Sequence, residues 1–357
     1  MTGPEGLIVT AVLLVVAAAA CDSGAERERH AAPLLTPQTS GTSARLQAIS
    51  AVRDNVVWVS GLGGTFARTT DGGDTWVSSI VPGADSLQFR DVDAFDANTA
   101  YLLSAGQGQL SRIYKTTDGG ESWALQFTNE EPSGFFDCMA FWDPDNGLAF
   151  SDAVDGEIIV IRTTDGETWQ RVPARLVPDA LSGEGSFAAS GTCLATQGDS
   201  TAWFGTGASE TARVFKTTDR GHTWSVAETP IVSGTMAGIA SLAFSDQLMG
   251  MAAGGDMSSP DAHGDNTAVT ADGGLTWTLA GRPVFTGAIY GLATTVTDEE
   301  SVLFVVGPGG LDYSLDNGMA WFSLDTLDYW SVAFGSPAVG WAVGPEGRTT
   351  KIELRVR

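Results

Sequence analysis

The sequence predicts an all-β fold: a single seven-bladed propeller of four-stranded antiparallel blades, its ring closed by an N-terminal strand. Three observations carry this. An eight-residue motif ending in Trp recurs six times at blade spacing. The composition, with 44 Gly and 11 Trp in 357 residues and 43% hydrophobic side chains, suits short strands joined by tight turns over a large core. It excludes a coiled coil or a disordered chain. Finally, the chain beyond the last motif holds three further strands but not four.

The motif copies are Thr69-Thr70-Asp71-Gly72-Gly73-Asp74-Thr75-Trp76, Thr116-Thr117-Asp118-Gly119-Gly120-Glu121-Ser122-Trp123 and a shortened Thr163-Thr164-Asp165-Gly166-Glu167-Thr168-Trp169. Three more follow: Thr217 to Trp224 around Asp219, Thr270 to Trp277 around Asp272, and Ser314 to Trp321 around Asp316. Successive aspartates lie 47, 47, 54, 53 and 44 residues apart, the size of one propeller blade. The chemistry explains the residues. An Asp carboxylate accepts backbone N–H bonds across a tight hairpin, and Gly supplies the positive φ that such a turn needs. The closing Trp, a large apolar body with one N–H donor, packs between neighbouring sheets. Asp71, Trp76, Asp118, Trp123, Asp165, Trp169, Asp219, Trp224, Asp272, Trp277, Asp316 and Trp321 are therefore read as structural.

At the mean spacing a seventh motif would fall beyond Arg357. Trp330 to Phe334, Val339 to Val343 and Thr349 to Val356 supply three strands of a last blade, and Gln38 to Arg45 can supply its outermost one. Joining the two ends of the chain in one sheet leaves no open edge in the ring.

The N-terminal region reads as leader and tether. Leu7 to Ala20 is an apolar run interrupted only by Thr10, too short to span a bilayer but the length of a signal-peptide core. It ends Ala18-Ala19-Ala20-Cys21, which resembles the lipobox of bacterial lipoproteins. That resemblance implies cleavage after residue 20, lipidation of Cys21, and a chain exported and held to a membrane on the periplasmic or extracellular side. The alternative is an ordinary secretory signal beside an incidental cysteine, and either reading exports the protein. Residues 1–20 are assigned to the signal peptide, 21–37 to the lipidated Cys and a flexible tether, and 38–357 to the propeller.

Cys138 and Cys193 begin matching stretches of consecutive repeats, Cys138-Met139-Ala140-Phe141 and Cys193-Leu194-Ala195-Thr196, and equivalent places elsewhere hold Ser241, Gly291 and Ser331. Two readings are open: a small buried residue near the axis, which the substitutions favour, or a disulfide, which an exported chain permits.

The repeated motifs resemble the Asp-box of BNR-repeat propellers, a group that includes sialidases and photosystem II stability and assembly factor-like proteins. A second recurrent pattern is similar to the assembly-factor branch. It is seen in Arg90-Asp91-Val92-Asp93-Ala94-Phe95 followed by Ala100-Tyr101-Leu102-Leu103, and in Ser331-Val332-Ala333-Phe334 followed by Gly340-Trp341-Ala342-Val343-Gly344. The resemblance implies that the boxes lie between third and fourth strands and that ligands bind the opposite face. Loops assigned to that face carry the candidate binding residues Arg90, Asp91, Arg282 and Asp256 and the candidate catalytic residues Asp152, Glu184, Asp137 and Tyr290. The longest connections, Arg171 to Thr192 and Asp256 to Asp265, are where function is expected on a rigid scaffold.

Charge and motif content narrow the chemistry. With 43 Asp plus Glu against 19 Lys plus Arg, the formal charge is −24, which excludes a nucleic-acid binder. No metal and no cofactor is expected: the three His and three Cys form no zinc spacing, the acidic loops match no calcium loop, and no Gly-x-Gly-x-x-Gly opens a helix. A glycosidase, sialidase-like or otherwise, could use two carboxylates on the face opposite the boxes. The Arg-Ile-Pro that sialidases carry early in the chain is absent. In the assembly-factor family a positively charged face engages the client, whereas only three of the 19 basic residues here are Lys. The reading reached is a monomeric, non-catalytic scaffold whose partner is an envelope protein or glycan, touching the membrane only through its N-terminal lipid; the alternative is a glycoside hydrolase.

Overall fold

The computed structural model describes residues 32–297 and 300–354. The leader, Cys21 and residues 355–357 lie outside them. A first strand, β1 (Leu34–Thr39), is followed by blade one, β2 (Leu46–Arg53), β3 (Val56–Gly61), β4 (Thr65–Thr69) and β5 (Val77–Ile80). Blade two holds β6 (Phe89–Ala94), β7 (Ala100–Ser104), β8 (Arg112–Thr116) and β9 (Ala124–Thr128). Blade three is β10 (Phe136–Asp143), β11 (Asn146–Val154), β12 (Glu157–Thr163) and β13 (Gln170–Arg171); blade four is β14 (Leu194–Gln197), β15 (Thr201–Gly205), β16 (Arg213–Thr217) and β17 (Ser225–Glu228). Blade five contains β18 (Ala237–Phe244), β19 (Gly250–Asp256), β20 (Thr267–Thr270) and β21 (Thr278–Leu279), and blade six β22 (Gly291–Thr297), β23 (Glu300–Gly307), β24 (Gly310–Ser314) and β25 (Phe322–Asp325). The last blade is β26 (Ser331–Phe334), β27 (Val339–Val343) and β28 (Arg348–Glu353), with β1 as its fourth strand. The fold is thus the seven-bladed propeller that the repeats predict.

The closing strand differs in its bounds from the predicted Gln38 to Arg45. It starts at Leu34, inside the stretch assigned to the tether, and pairs Leu34 with Glu353 through Thr39 with Arg348. Leu35 packs on the core cluster of Val332, Ala342 and Ile352, whereas residues 40–44 turn back on themselves through Ser40 and Thr42. Apolar anchoring therefore sets the register. Gln38 completes the closure. Its Oε1 accepts the indole N–H of Trp76 in blade one and of Trp341 in blade seven, both at 3.1 Å, and its amide donates to Gly72 O.

The core is distributed as seven clusters, one in each gap between neighbouring blades. Trp58, Tyr101, Trp203 and Trp341 occupy the second strands of their blades and are fully buried. Each carries a cation from the third strand over its ring: Arg68, Lys115, Lys216 and Lys351, at 5.1, 5.4, 5.6 and 5.7 Å respectively. All three lysines of the chain are used in this way.

Each Asp turn lies between third and fourth strands. In the first, Asp71 Oδ1 accepts the Thr75 N–H at 2.9 Å and Asp71 Oδ2 the Thr75 hydroxyl at 2.6 Å, while Thr69 Oγ1 accepts the Gly73 N–H. Asp118, Asp219 and Asp272 repeat the pattern. These donors hold Asp71, Asp118 and Asp272 down at about 2. Trp123 stands edge-on to Trp58 and Phe66 of the preceding blade.

Cys138 and Cys193 are bridged, with Cα atoms 5.9 Å apart. The buried-residue reading is corrected on that point: both side chains are indeed fully buried, but the inner edges of blades three and four bring them together.

Candidate functional site

Strand direction alternates within a blade, so the Asp turns share one face of the ring with the links from first to second strands. The opposite face gathers the links from second to third strands and from blade to blade. The longest of these links is the one between β13 and β14, residues 172–193.

That connection crosses the axis. Ala188 O accepts from Arg90 Nη1 of blade two at 3.2 Å, and Ser190 Oγ donates to Tyr290 O beside blade six at 2.6 Å. Ser331 Oγ of blade seven donates to Ser190 O at 2.9 Å, and Thr192 Oγ1 meets Ser241 Oγ of blade five at 2.6 Å. Gly191, at φ +75°, lies so close to Asp91 that a Cβ would sit 2.4 Å from its Oδ1. Blades two, five, six and seven thus meet the connection at one hub of small polar side chains, and the two Ser positions aligned with Cys138 in the sequence serve it.

The hub floors a cavity of about 640 Å³. Its wall carries Phe135, Phe187, Met236, Met257, Tyr290 and Trp330, and its acidic corner Asp137 and Asp152. Tyr290 stands edge-on to Trp330 at 4.9 Å, and the Arg45 guanidinium lies 4.4 Å over the same indole. Burial raises the Tyr290 phenol, and the Asp328 charge adds to it.

Asp137 is fully buried on β10, and no N–H or O–H donor reaches either of its oxygens among the described residues. Burial lifts its carboxyl well above the ordinary range, and the facing Asp152 carboxyl adds to the rise. Asp152, on β11, is half-buried, accepts the Ser186 N–H at 2.8 Å, and is pushed by burial up to about 6. Gly185 permits that bond, since a Cβ there would lie 2.2 Å from Asp152 Oδ1. Two such carboxyls in one buried corner hold one negative charge between them unless a further cation joins them. Arg90, lowered chiefly by burial and then by the charge of Arg45, lies beside them with Nε and Nη2 on Gln88 Oε1.

Of the eight candidate residues, five therefore converge on the cavity: Arg90, Asp137, Asp152, Glu184 and Tyr290. Glu184 is not chemically free. Arg213 grips both of its oxygens, Nε on Oε1 at 2.9 Å and Nη2 on Oε2, and Thr206 and the Leu181 N–H occupy the remaining lone pairs. This buried ion pair fastens the long connection to β16. Asp91 is also structural: it is buried in β6 and accepts the Met139 N–H of β10 at 2.7 Å. Arg282 and Asp256 do not line the cavity. Arg282 pairs with exposed Asp265 at 2.9 Å, and Asp256 closes its own turn through Ser258 and Ser259. Sequence reasoning missed Phe135, Phe187, Met236, Met257 and Trp330, whose apolar side chains carry no motif.

Fold and site together define a class: a propeller whose axis is blocked by its own inter-blade connection and whose loop face carries an acid-cornered, aromatic-walled pocket. No family model and no curated protein matches the chain. Among solved structures it is similar to YCF48 bound to a D1 peptide, at TM-score 0.62 and 19% identity over 89% of this chain and 96% of that one. YCF48 from Cyanidioschyzon merolae aligns at TM-score 0.62 and 16% identity, covering 89% of this chain and 98% of that one. An ancestral GH74 enzyme aligns at 0.58 and 15%, covering 89% of this chain and 46% of that enzyme.

Proposed function

We propose that the chain is a non-catalytic scaffold, exported and held at the cell envelope through Cys21, that seats a segment of a protein partner in the pocket over the hub. The observation that carries this is the pocket itself: aromatic and thioether walls on a floor tied to four blades offer a rigid, apolar seat. The peptide-bound YCF48 neighbour has the same architecture, which supports a protein ligand for this one. The Cys138–Cys193 bridge suits an oxidising compartment outside the cytoplasm.

Hydrolysis of a glycan fits the carboxyls less well. A glycosidic bond must lie between two carboxyl groups at least about 5 Å apart, but Asp137 and Asp152 crowd one corner of the pocket, and Asp137 is fully buried. The third acid, Glu184, is held by Arg213.

A photo-crosslinking residue at exposed Thr235, on the pocket rim, should form an adduct with an envelope protein in cells. The same residue at Asp74, on the Asp-turn face, should not. Equal adducts from both positions would refute the pocket as the partner site. Turnover of aryl glycosides that Asp152→Ala abolishes would establish the hydrolase instead.

A further inference from the structure

The acidic corner of the pocket lacks a counterpart. Asp137 is fully buried, faces the cavity, and has no donor for either oxygen among the described residues. The charged groups around it are otherwise committed. Arg90 from β6 directs three N–H groups to Gln88 and Ala188, Asp91 faces Met139, Glu184 faces Arg213, and Asp152 from β11 holds the Ser186 N–H. A proton shared with Asp152 is one way to meet these oxygens, and a ligand cation is another.

The walls favour such a ligand. Tyr290, Trp330, Phe135 and Phe187 present aromatic rings, which attract a desolvated cation, and Met236 and Met257 suit the apolar group that carries it. A metal ion is a poorer match, because no cluster of three His, Cys, Asp or Glu side chains that could hold one occurs among the described residues. An anion would meet two carboxyls.

Building on the reading of this pocket as the partner's seat, we propose that the Asp137–Asp152 pair recognises a primary ammonium group attached to an apolar moiety of the partner peptide. The ammonium replaces the shared proton. The charge of the buried cluster is then conserved: before binding, Arg90 offsets a pair with one proton, and afterwards Arg90 and the ammonium offset two carboxylates. Binding therefore releases up to one proton. In a peptide, an α-ammonium and a lysine side chain offer this chemistry alike.

The test is calorimetric titration of the whole protein with 2-phenylethylammonium and with its neutral isostere 2-phenylethanol, near neutral pH, in buffers of small and large ionisation enthalpy. The expected result is at least about tenfold tighter binding of the ammonium, with proton release, and loss of that preference in Asp137→Asn. Asp152→Asn serves if the first variant does not fold. Equal binding of the two probes overturns ammonium recognition but leaves the pocket as a partner site. Failure of the ammonium to bind at millimolar concentration also overturns it, and the Thr235 crosslink judges the broader reading separately. Phe-Gly-Gly with a free amine, its N-acetyl form, and N-acetyl-Phe-Lys-amide distinguish the sources. Loss on acetylation identifies an α-ammonium, binding of the lysine peptide identifies a side chain, and binding of neither amine overturns the peptide form of the proposal.

Discussion

Asp93 shows what single residues contribute to the ring. On β6 it accepts the Phe141 N–H of β10 at 3.0 Å, tying blade two to blade three, and burial raises its carboxyl to about 7. Because the folded value exceeds the unfolded one, its stabilising effect is complete below about pH 4 and is lost as pH rises through 7. Asp93→Asn keeps the acceptor and removes the titration. Its stability relative to the parent should therefore improve by roughly 3 kcal/mol between pH 5 and pH 8, read from urea melts at each pH; a pH-independent difference would contradict the assignment. Gln38 is the other informative position. Gln38→Ala strands the indole N–H groups of Trp76 and Trp341 and should cost about 1–3 kcal/mol, visible as a lower denaturation midpoint. Asp137, Asp152, Arg90 and Tyr290 were legible in the sequence because they flank recurrent strands and so share a face. The commitment of Glu184 was not legible, since its partner Arg213 lies 29 residues on in another strand.

At the scale of the element, the long connection between β13 and β14 matters most. Its length marked it as functional, but its path could not be read: Ser190, Gly191 and Thr192 carry no periodicity, and their partners lie up to 141 residues away. Gly191→Ala would place a methyl group against Asp91 in a left-handed backbone conformation. It should destabilise the fold by about 2 kcal/mol or more and lower the melting temperature, whereas Gly83→Ala, also at positive φ but with nothing near its Cβ, should lose less. The same contrast explains the closing strand. Its existence followed from the count of strands after Asp316, but its register depends on Leu35 meeting the blade-seven core, a tertiary contact that local pattern does not encode.

For the whole molecule, repeat spacing made the architecture legible because six of the seven blades carry the same Asp turn. What differs between blades was not legible, and the site consists of those differences. The disulfide illustrates this: matching positions in consecutive repeats placed the cysteines near one another without deciding whether they join. Because both sulfurs are buried, the bridge should resist dithiothreitol in the native state. Replacing both cysteines by Ala should cost about 4 kcal/mol for the 55-residue separation, measured by chemical denaturation of the two forms. Closure at β1 has a directional outcome as well. Leu34 sits opposite Glu353, so the polypeptide enters the toroid on the side of the Asp turns, and the cavity mouth opens on the other side. If residues upstream of Leu34 moor the propeller, the cavity mouth lies on the face away from the point of attachment, open to a partner arriving from solution.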